Sequence, residues 1–275
     1  MSSIAAPIVT HDAHVHTTLS ACCSDPLATA ANMIARAADA GLKVLGFADH
    51  LWDRAVPGAS DWYAPQDVEH VLRLRQEIPK DTRGVKVLVG CETEYCGGGK
   101  VGISREGARQ LDFVLVPFSH THMAGFVVPE GTTAAHLPRL LVQRFREVLD
   151  LDIATGIAHP FLPLGYGDVI DEIMAAVPDG ELEECFGRAA AKGVSIELHT
   201  GMFPLPENEK PLRHAETFLR VMAVAKRCGC LFHFASDAHS LEDIGCVKRL
   251  ESVASELGIT QEDVLPLFRG LTIDH

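Results

Sequence analysis

The sequence predicts an α/β fold in which parallel strands close into a barrel. Short apolar runs rich in β-branched residues alternate with longer segments of helical period, and no linker or low-complexity stretch interrupts the 275 residues. Strands separated by helices pair in parallel through crossover connections, and near-continuous apolar strands indicate a sheet covered on both faces. On this pattern alone an open, doubly wound sheet remains an alternative to the barrel. The length suits a single domain spanning residues 1–275.

Seven strands are predicted, at residues 8–14, 44–48, 85–91, 113–118, 152–158, 194–198 and 231–235. Helices are predicted at 26–40, after Pro65, and at 105–111, 133–149, 169–192, 212–227, 241–257 and 261–268. The first helix shows the usual end signals, because Pro26 suits a first helical turn and Gly41 suits a C-terminal cap. One or two helices are predicted over the segment at 169–192, with a break at residues 178–180.

The charge balance argues against several classes of partner. Asp and Glu number 37 against 24 Lys and Arg, a formal net charge of −13, and an acidic surface repels nucleic-acid backbones and anionic membranes. No apolar run reaches the roughly 20 residues of a membrane-spanning helix, and residues 1–9 lack the basic start of a signal peptide. We therefore expect a cytoplasmic protein without a nucleic-acid or membrane partner. The oligomeric state is not predicted.

The cysteines form no metal-binding or disulfide pattern. Cys91, Cys185 and Cys228, three of the eight, lie in apolar segments and are expected to be buried thiols. No Cys-x-x-Cys pair occurs, which disfavours a structural zinc site. The unusual feature of the composition is histidine, with fourteen residues against three tyrosines and two tryptophans.

Each predicted strand ends in a side chain that can bind a metal. In a parallel barrel the C-terminal ends of the strands meet on one face, where active sites are assembled. Alternate residues of a strand point to the same side, so that Asp-x-His and His-x-His present both side chains to one centre. Imidazole with carboxylate is the ligand set of zinc, manganese or iron rather than of calcium or magnesium alone. In chain order the strand-end residues are Asp12, His14, His16, Asp49, His50, Glu92, His120, His122, His159, Glu197, His199, Asp237 and His239.

As an ordered set, these motifs resemble the polymerase-and-histidinol-phosphatase (PHP) family of metal-dependent phosphoesterases. The match extends over nearly the whole chain. Its segments are His14-x-His16, Asp49-His50, Gly-x-Glu92, a central His, His159-Pro160 and Ser-Asp237-Ala-His239. The resemblance implies a distorted (β/α)7 TIM-like barrel, a cluster of two or three divalent metal ions, and hydrolysis of phosphoester bonds.

The resemblance also implies how the ligands are shared. A first metal would be held by His14, His16, Glu92 and Asp237. Glu92 and Asp237 are the expected catalytic residues. The proton for the leaving group would come from Asp237 or from a metal-bound water.

Glu92 would bridge to a second metal, which would also bind His159 and a histidine after the fourth strand. His120 and His122 both suit that position. We favour His120 because it follows the apolar run more closely.

A third metal would be held by His50 and His239. The family usually adds a His or an acid from the loop after the first motif, which here covers residues 20–25. Asp25 would have to serve there, and Cys22 or Cys23 is the less favoured choice.

The acids beside the ligands have more than one interpretation. Asp12 and Asp49 either orient ligand histidines through ring N–H groups or cap loops. Glu94, two residues after Glu92, is expected to be structural. Six further histidines match no motif and receive no function: His11, His70, His136, His214, His233 and His275.

The expected reaction is hydrolysis of a small phosphomonoester by a metal-activated hydroxide. Histidinol phosphate, a nucleotide or a similar compound would be the substrate, since the chain resembles short, free-standing members such as histidinol-phosphate phosphatases. Those members typically carry a basic stretch after strand six, which here reads His199-Thr-Gly-Met202-Phe203-Pro204 without an Arg. Lys210 and Arg213 follow and are the candidate substrate-binding residues.

Loops around the barrel mouth are expected to select the substrate. Four long loops, at 51–63, 95–104, 122–132 and 201–211, combine aromatic and basic side chains. The aromatic residues either line the substrate site or pack within their own loops. They are Trp52, Trp62, Tyr63, Tyr95 and Phe126, and the basic residues are Arg54, Lys100 and Lys210.

Two other functions stay open at this point. A metal-dependent amidohydrolase also begins with His-x-His on a barrel, but that class commonly uses a metal-bridging Lys at the end of a central strand, where this chain has Glu92. A non-catalytic metal-binding PHP domain should show gaps in the ligand set, and this chain shows almost none.

Overall fold

The structure is a computed structural model in which residues 6–203 and 214–270 are described. Within them, strands and helices alternate in the order that the sequence predicts. The strands are β1 His11–Val15, β2 Val44–Phe47, β3 Lys86–Val89, β4 Cys91–Glu92, β5 Val114–Leu115, β6 Gly156–Ile157, β7 Ser195–His199 and β8 Phe232–Ala235. The α-helices are α1 Ala30–Asp39, α2 Val68–Leu72, α3 Leu74–Glu77, α4 Arg105–Ala108, α5 Leu137–Asp150, α6 Ile170–Ala175, α7 Asp179–Lys192, α8 Ala215–Arg227 and α9 Glu251–Glu256.

All pairs between these strands are parallel. β1, β2 and β3 pair in chain order in one group, and β4 to β8 pair in chain order in a second. Only Gly90 separates β3 from β4, and the Glu92 amide donates to Ala48 O at 3.1 Å, just beyond the end of β2. The two groups are therefore one run of seven strand positions, with an irregularity at Gly90.

Backbone hydrogen bonds also join the last strand to the first. The Asp237 amide donates to His14 O and the His16 amide donates to Ala238 O, both at 2.9 Å. These bonds lie at the C-terminal ends of β1 and β8 and bring the two ends of the strand run together. The predicted α/β class with a distorted, TIM-like arrangement of parallel strands is confirmed.

Some elements differ from the prediction for identifiable reasons. The strand predicted at 113–118 is reduced to β5, which ends before Pro117, a residue with no N–H for a strand ladder. The strand predicted at 152–158 is reduced to β6, since Asp152 has a left-handed backbone (φ 51°) that turns the chain. The first helix begins at Ala30 rather than Pro26, because the Thr29 side chain caps it by accepting the Asn32 amide.

The helices after Pro65 and near the C-terminus are more broken than predicted. The former is divided into α2 and α3, and the segment predicted at 241–257 begins with a 3-10 turn at Cys246–Leu250 before α9. Two further 3-10 turns, Gln261–Asp263 and Pro266–Phe268, replace the last predicted helix. Residues 212–213 of the predicted helix at 212–227 lie outside the described residues. Cys91 and Cys185 are buried as expected, whereas Cys228 is only half-buried.

One part of the core combines aromatic rings with a buried histidine. The ring of Phe113 packs edge-on to Phe268, and the ring of His11 stacks on the same Phe268 side chain. His11 Nε2 accepts the Phe234 amide at 2.8 Å. Burial lowers the pKa of His11 to about 3, so this side chain is a neutral core group.

None of the helices within residues 6–203 and 214–270 is both long and apolar enough to cross a membrane.

The close approach of Phe113 to Gly90 gives a test of the packing. A Cβ at Gly90 would lie 2.6 Å from the Phe113 ring. We therefore expect Gly90→Ala to lower the free energy of unfolding by about 1–3 kcal/mol, as overpacked core sites do. Urea unfolding measures the change. Gly187→Ala is the matched control, because a Cβ at this position in α7 meets nothing within 4 Å and should be neutral or stabilising by up to about 1 kcal/mol. Equal stability of Gly90→Ala and the unaltered protein would contradict this packing.

Candidate metal centre

Four donor atoms face one another at the C-terminal ends of the strands. His14 Nε2 lies 3.1 Å from His16 Nε2, 3.4 Å from Glu92 Oε2 and 3.5 Å from Asp237 Oδ1. His16 Nε2 lies 3.6 Å from Glu92 Oε2 and 3.0 Å from Asp237 Oδ1. Tetrahedral ligands about 2.1 Å from a metal are about 3.4 Å from one another. The five distances match this spacing, and His14, His16 and Asp237 form a group whose donor atoms all lie within 4.8 Å of one another. We name His14, His16, Glu92 and Asp237 the first centre.

The other oxygen of Glu92 faces a second pair of histidines. Glu92 Oε1 lies 2.9 Å from His159 Nε2 and 3.8 Å from His120 Nε2, and donor atoms of the three residues all lie within 4.8 Å of one another. We name this group the second centre. Of the two candidates after β5, the structure brings His120 into the centre. His122 is exposed, and its ring centroid lies 5.7 Å from that of His120.

Hydrogen bonds determine which ring nitrogen faces each centre. His14 Nδ1 donates to Glu197 Oε2 at 2.9 Å, and His120 Nδ1 donates to Glu94 Oε1 at 2.5 Å. A carboxylate only accepts, so Nδ1 carries a proton and Nε2 is the nitrogen turned to the centre. Glu94, expected from the sequence to be structural, thus orients His120, and it also accepts from Tyr63 Oη at 2.6 Å.

Glu197 contacts three parts of the site at once. Besides His14, it accepts from His233 Nε2 at 3.2 Å and from the His159 amide at 2.8 Å. The latter bond holds His159 in a left-handed backbone (φ 27°) that is uncommon for a residue other than glycine. Burial opposes ionisation of Glu197, but His14 and His233 hold its pKa well below the usual range. From the sequence, Glu197 is only one of the strand-end residues able to bind a metal, and its alternation with His199 is the one signal of its position.

Asp12 and Asp49 hold loops rather than ligand rings. Asp12 accepts from the Ser236 amide at 3.0 Å and from Ser236 Oγ at 2.6 Å. Asp49 accepts from the Thr17 amide at 2.6 Å and from Thr17 Oγ1 at 2.7 Å. The first pair fixes the turn that presents Asp237, whose φ of 56° is left-handed. Of the two interpretations of these aspartates, the structure supports loop capping. Burial raises the pKa of both to about 6.

His50 and His239 each pack beside His16 rather than against each other. Their ring centroids lie 4.8 and 4.4 Å from that of His16. A donor group of His16, His50 and Glu92 lies within 4.8 Å, and a separate group contains His16, Cys22 and His239. Within the described residues, His50 and His239 therefore do not share a three-donor group, which differs from the expected third site.

Asp25 is committed elsewhere in the structure. Its carboxylate accepts the amides of Leu27 and Leu241, both at 2.8 Å, and these two bonds lower its pKa. Among the described residues it belongs to no group of three close metal-binding donors. The structure thus places Cys22, and not Asp25, beside His239.

Among the residues that the structure describes, no Lys or Arg pairs with the carboxylates of the site. Within the described residues, every ion pair of Glu92, Glu94, Glu197 and Asp237 is with a histidine. Burial opposes ionisation of Glu92, but His14, His50 and His120 hold its pKa well below the usual range. Burying a carboxylate charge is costly unless nearby positive charge compensates it. Bound divalent cations would supply this compensation.

An unsatisfied carboxylate oxygen also fits a bound cation. Asp237 Oδ1 is buried and has no hydrogen-bond partner among the described residues, although His16 Nε2 approaches it at 3.0 Å. Burial opposes ionisation of Asp237, but His14 and His16 hold its pKa well below the usual range. An ionised oxygen without a hydrogen bond is suited to a metal, and imidazole with carboxylate suits zinc, manganese or iron. The residues present therefore fit a metal cluster.

A cavity of about 390 Å³ opens onto both centres. One part of its wall is formed by site residues and the other by aromatic and apolar side chains. Its lining residues are Cys22, His50, Trp62, Tyr63, Glu92, Glu94, His120, His122, Met123, Leu164, Asp237 and His239. A larger groove of about 620 Å³ along α5 and the start of α7 contains none of the ligands of either centre.

Of the aromatic side chains in the four long loops, two line the cavity and others pack on neighbouring loops and on α5. Trp62 and Tyr63 line the cavity, whereas Trp52 packs on Tyr63 and Phe126. Tyr95 lies beneath the Arg144 guanidinium.

No Lys or Arg side chain lines the cavity among the described residues. Lys100 Nζ lies 5.0 Å from the Trp52 ring centroid and donates to Gly58 O. Arg54 pairs with Asp67. The candidates Lys210 and Arg213 lie outside the described residues.

The central position of Glu197 predicts an effect on metal binding. Glu197→Gln should lower affinity for the bound metals by about 10–100-fold, because partners that orient ligand histidines typically contribute this much. Competition with a chromophoric chelator measures the affinity. The control is Asp171→Asn, whose carboxylate accepts from His214 and Thr217 outside both centres. If both variants bind metal as tightly as the unaltered protein, Glu197 does not orient the ligands.

Comparisons with known proteins agree with this geometry. The PHP domain family model matches residues 12–201. Probable phosphatases from Aliivibrio fischeri and Clostridium botulinum are 22% and 23% identical to this chain. The matches cover 92% of this chain in both cases, and 87% and 88% of those proteins.

A solved structure shares the fold over most of both chains. It is the histidinol phosphate phosphatase of Lactococcus lactis, in complex with zinc, L-histidinol and phosphate. The TM-score is 0.59 at 17% identity, and the alignment covers 91% of this chain and 94% of that chain. The family match, which extends over more than half of the sequence, is decisive: the chain belongs to the PHP domain family.

Proposed function

We propose that the protein is a metal-dependent phosphatase that hydrolyses a small phosphomonoester. The observation that carries this proposal is the Glu92 carboxylate, whose two oxygens face two groups of histidines. Glu92 with these histidines would hold two divalent cations, which would supply a water of lowered pKa and positive charge for the phosphate oxygens. The names of the relatives support the same reaction class. The cluster would hold two or three zinc, manganese or iron ions.

The residues of the chain have distinct tasks in this reaction. Glu92, almost fully buried, fixes the separation of the two centres. Asp237 is the more open carboxylate, with 25% of its side chain exposed. Its Oδ1 is buried, so Oδ2 is the oxygen on the open side of the carboxylate. We assign to Oδ2 the movement of a proton between the attacking water and the leaving alcohol.

The cavity favours a small organic monoester over a polymer. Its volume of about 390 Å³ lies within the range of pockets that bind small molecules. Trp62 and Tyr63 offer an aromatic wall for the alcohol part of the substrate, and Trp62 is 41% exposed. Histidinol phosphate, a nucleotide or a similar monoester is the substrate class, and Lys210 and Arg213 are the proposed contacts to its phosphate.

The two other functions are less well supported. A metal-dependent amidohydrolase would need a bridging Lys, but the residue between the two centres is Glu92. A non-catalytic metal-binding domain would be expected to lack ligands, whereas both centres have side chains of the required kinds at the required spacing.

The direct test compares esters of one phenol. The purified protein, loaded separately with manganese, zinc or iron, should hydrolyse p-nitrophenyl phosphate much faster than bis-p-nitrophenyl phosphate. A monoester presents more charged oxygens to the cations, and one phenol fits the cavity better than two. Release of p-nitrophenol measures both rates.

Glu92→Gln is the negative control for this assay. It should lower monoester hydrolysis at least about 100-fold, since even residues outside the ligand set contribute about 10–100-fold. Faster cleavage of the bis-ester, or rapid degradation of an oligonucleotide, would overturn the proposed substrate class. Turnover by Glu92→Gln at the rate of the unaltered protein would overturn the proposed site.

A further inference from the structure

One strand-end histidine lies beside the first centre without belonging to it. His199 is the last residue of β7, and its Nε2 lies 3.7 Å from Asp237 Oδ2, the oxygen that moves the proton in the proposed reaction. Among the described residues, His199 belongs to no group of three close metal-binding donors, and it does not line the site cavity. Any action of His199 on the reaction must therefore pass through a neighbouring side chain.

A backbone hydrogen bond determines which nitrogen of His199 carries the ring proton. The Gly201 amide donates to His199 Nδ1 at 2.9 Å. Because a backbone N–H only donates, Nδ1 holds a lone pair and the proton is on Nε2. Nε2 is buried and has no hydrogen-bond partner in the part of the chain that the structure describes. A buried N–H without an acceptor is costly, and Asp237 Oδ2 is an acceptor only about 1 Å beyond the usual bonding distance.

The turn after β7 connects His199 to the segment that carries Asp237. Thr200 Oγ1 donates to Ser236 O at 3.0 Å, and Ser236 directly precedes Asp237. The His199 ring also stands edge-on to the His159 ring, with centroids 5.6 Å apart, and the residue is only 7% exposed. The ring therefore has little freedom to turn away from the carboxylate.

The two oxygens of Asp237 have different surroundings. Oδ1 lies 3.0 Å from His16 Nε2 and 3.5 Å from His14 Nε2, within the first centre. Of the basic side chains that the structure describes, His199 is the one that pairs with Oδ2. A donor at Oδ2 would fix the rotation of the carboxylate, with Oδ1 on the first centre and Oδ2 in a constant orientation.

We propose that His199 is a positioning residue for Asp237: its Nε2–H donates a hydrogen bond to Oδ2 and holds that oxygen in line with the leaving alcohol. The inference rests on the proposed phosphatase function and extends it to a residue outside the metal ligands. In the reaction the water oxygen bonds to phosphorus while the ester P–O bond breaks, and Oδ2 passes the proton of the water to the departing oxygen. Misplacing Oδ2 should slow delivery of this proton and leave substrate binding intact.

The leaving group of the substrate tests this role. p-Nitrophenolate departs readily without a proton, whereas the more basic phenolate of phenyl phosphate needs one. His199→Leu should therefore lower kcat for phenyl phosphate at least about 10-fold more than kcat for p-nitrophenyl phosphate, since proton transfer by a positioned side chain contributes about 10²–10⁴-fold. KM should stay near that of the unaltered protein for both esters.

Two further variants complete the comparison. His199→Gln keeps an N–H donor and should restore the ratio of the two rates. His214→Gln is the control and should leave both rates unchanged, because the His214 imidazole bonds to Asp171 outside both centres. Equal losses for the two esters in His199→Leu would overturn the inference, since a purely structural role lowers both rates alike. Unchanged rates in His199→Leu, or no recovery in His199→Gln, would overturn it as well.

Gly201→Ala reaches the same contact if His199→Leu does not fold. A Cβ at Gly201 would lie 2.9 Å from the His199 ring and should displace it while the imidazole itself remains. The same selective loss of phenyl phosphate hydrolysis is expected. An equal loss for both esters in this variant would also count against the inference.

Nitrogen NMR of the imidazoles gives a readout without turnover. In the full-length protein labelled with ¹⁵N-histidine, the His199 signals are those that disappear in His199→Gln. Nε2 should carry the proton and Nδ1 should not, and the Nε2 signal should shift in Asp237→Ala but not in Asp171→Asn. A proton on Nδ1, or an unshifted signal in Asp237→Ala, would contradict the inference. If no phosphomonoester is hydrolysed but both NMR results hold, the proposed reaction is wrong and the contact with Asp237 stands. Turnover with a proton on Nδ1 leaves the reaction and removes this role of His199.

Discussion

One buried carboxylate, that of Glu92, sets the geometry of the whole site. Its two oxygens face different histidines, so any movement of this side chain changes both centres together. The backbone of Glu92 is held on both sides: its amide donates to Ala48 O, and its carbonyl accepts the Leu51 amide at 2.9 Å. A shift of one residue in β4 would turn Glu92 to the other face of the sheet. The interruption at Gly90, between β3 and β4, is therefore part of what positions the site.

The acids around the centres are divided between ligands and supports. Glu92 and Asp237 face the centres, whereas Glu94 and Glu197 orient His120 and His14. Asp12 accepts two hydrogen bonds from Ser236, ahead of the left-handed residue Asp237. Left-handed backbone at a residue other than glycine persists where the surroundings enforce it. The strained backbone of Asp237 and the buried carboxylates therefore lie at one place. Bound cations would offset the negative charge there.

Much of the fold and the site could be predicted from local patterns. Apolar runs located the strands, and the alternation rule put His14 with His16 on one side of β1. The position of Glu197 at a strand end was also visible, but not its use, because it contacts His14 across 183 residues of sequence. The role of Asp12 depends likewise on a residue 224 positions away. The separation of His50 from His239 depends on how both rings pack on His16. Sequence motifs do not predict this packing.

The most direct test of the shared carboxylate is anomalous X-ray scattering from crystals grown with zinc. Data collected on both sides of the zinc edge should include two peaks roughly 3.5–4 Å apart, the usual separation in two-metal sites. The Glu92 carboxylate should lie between them, with His14, His16 and Asp237 around one and His120 and His159 around the other. A single peak, or two peaks of which neither contacts Glu92, would contradict the account.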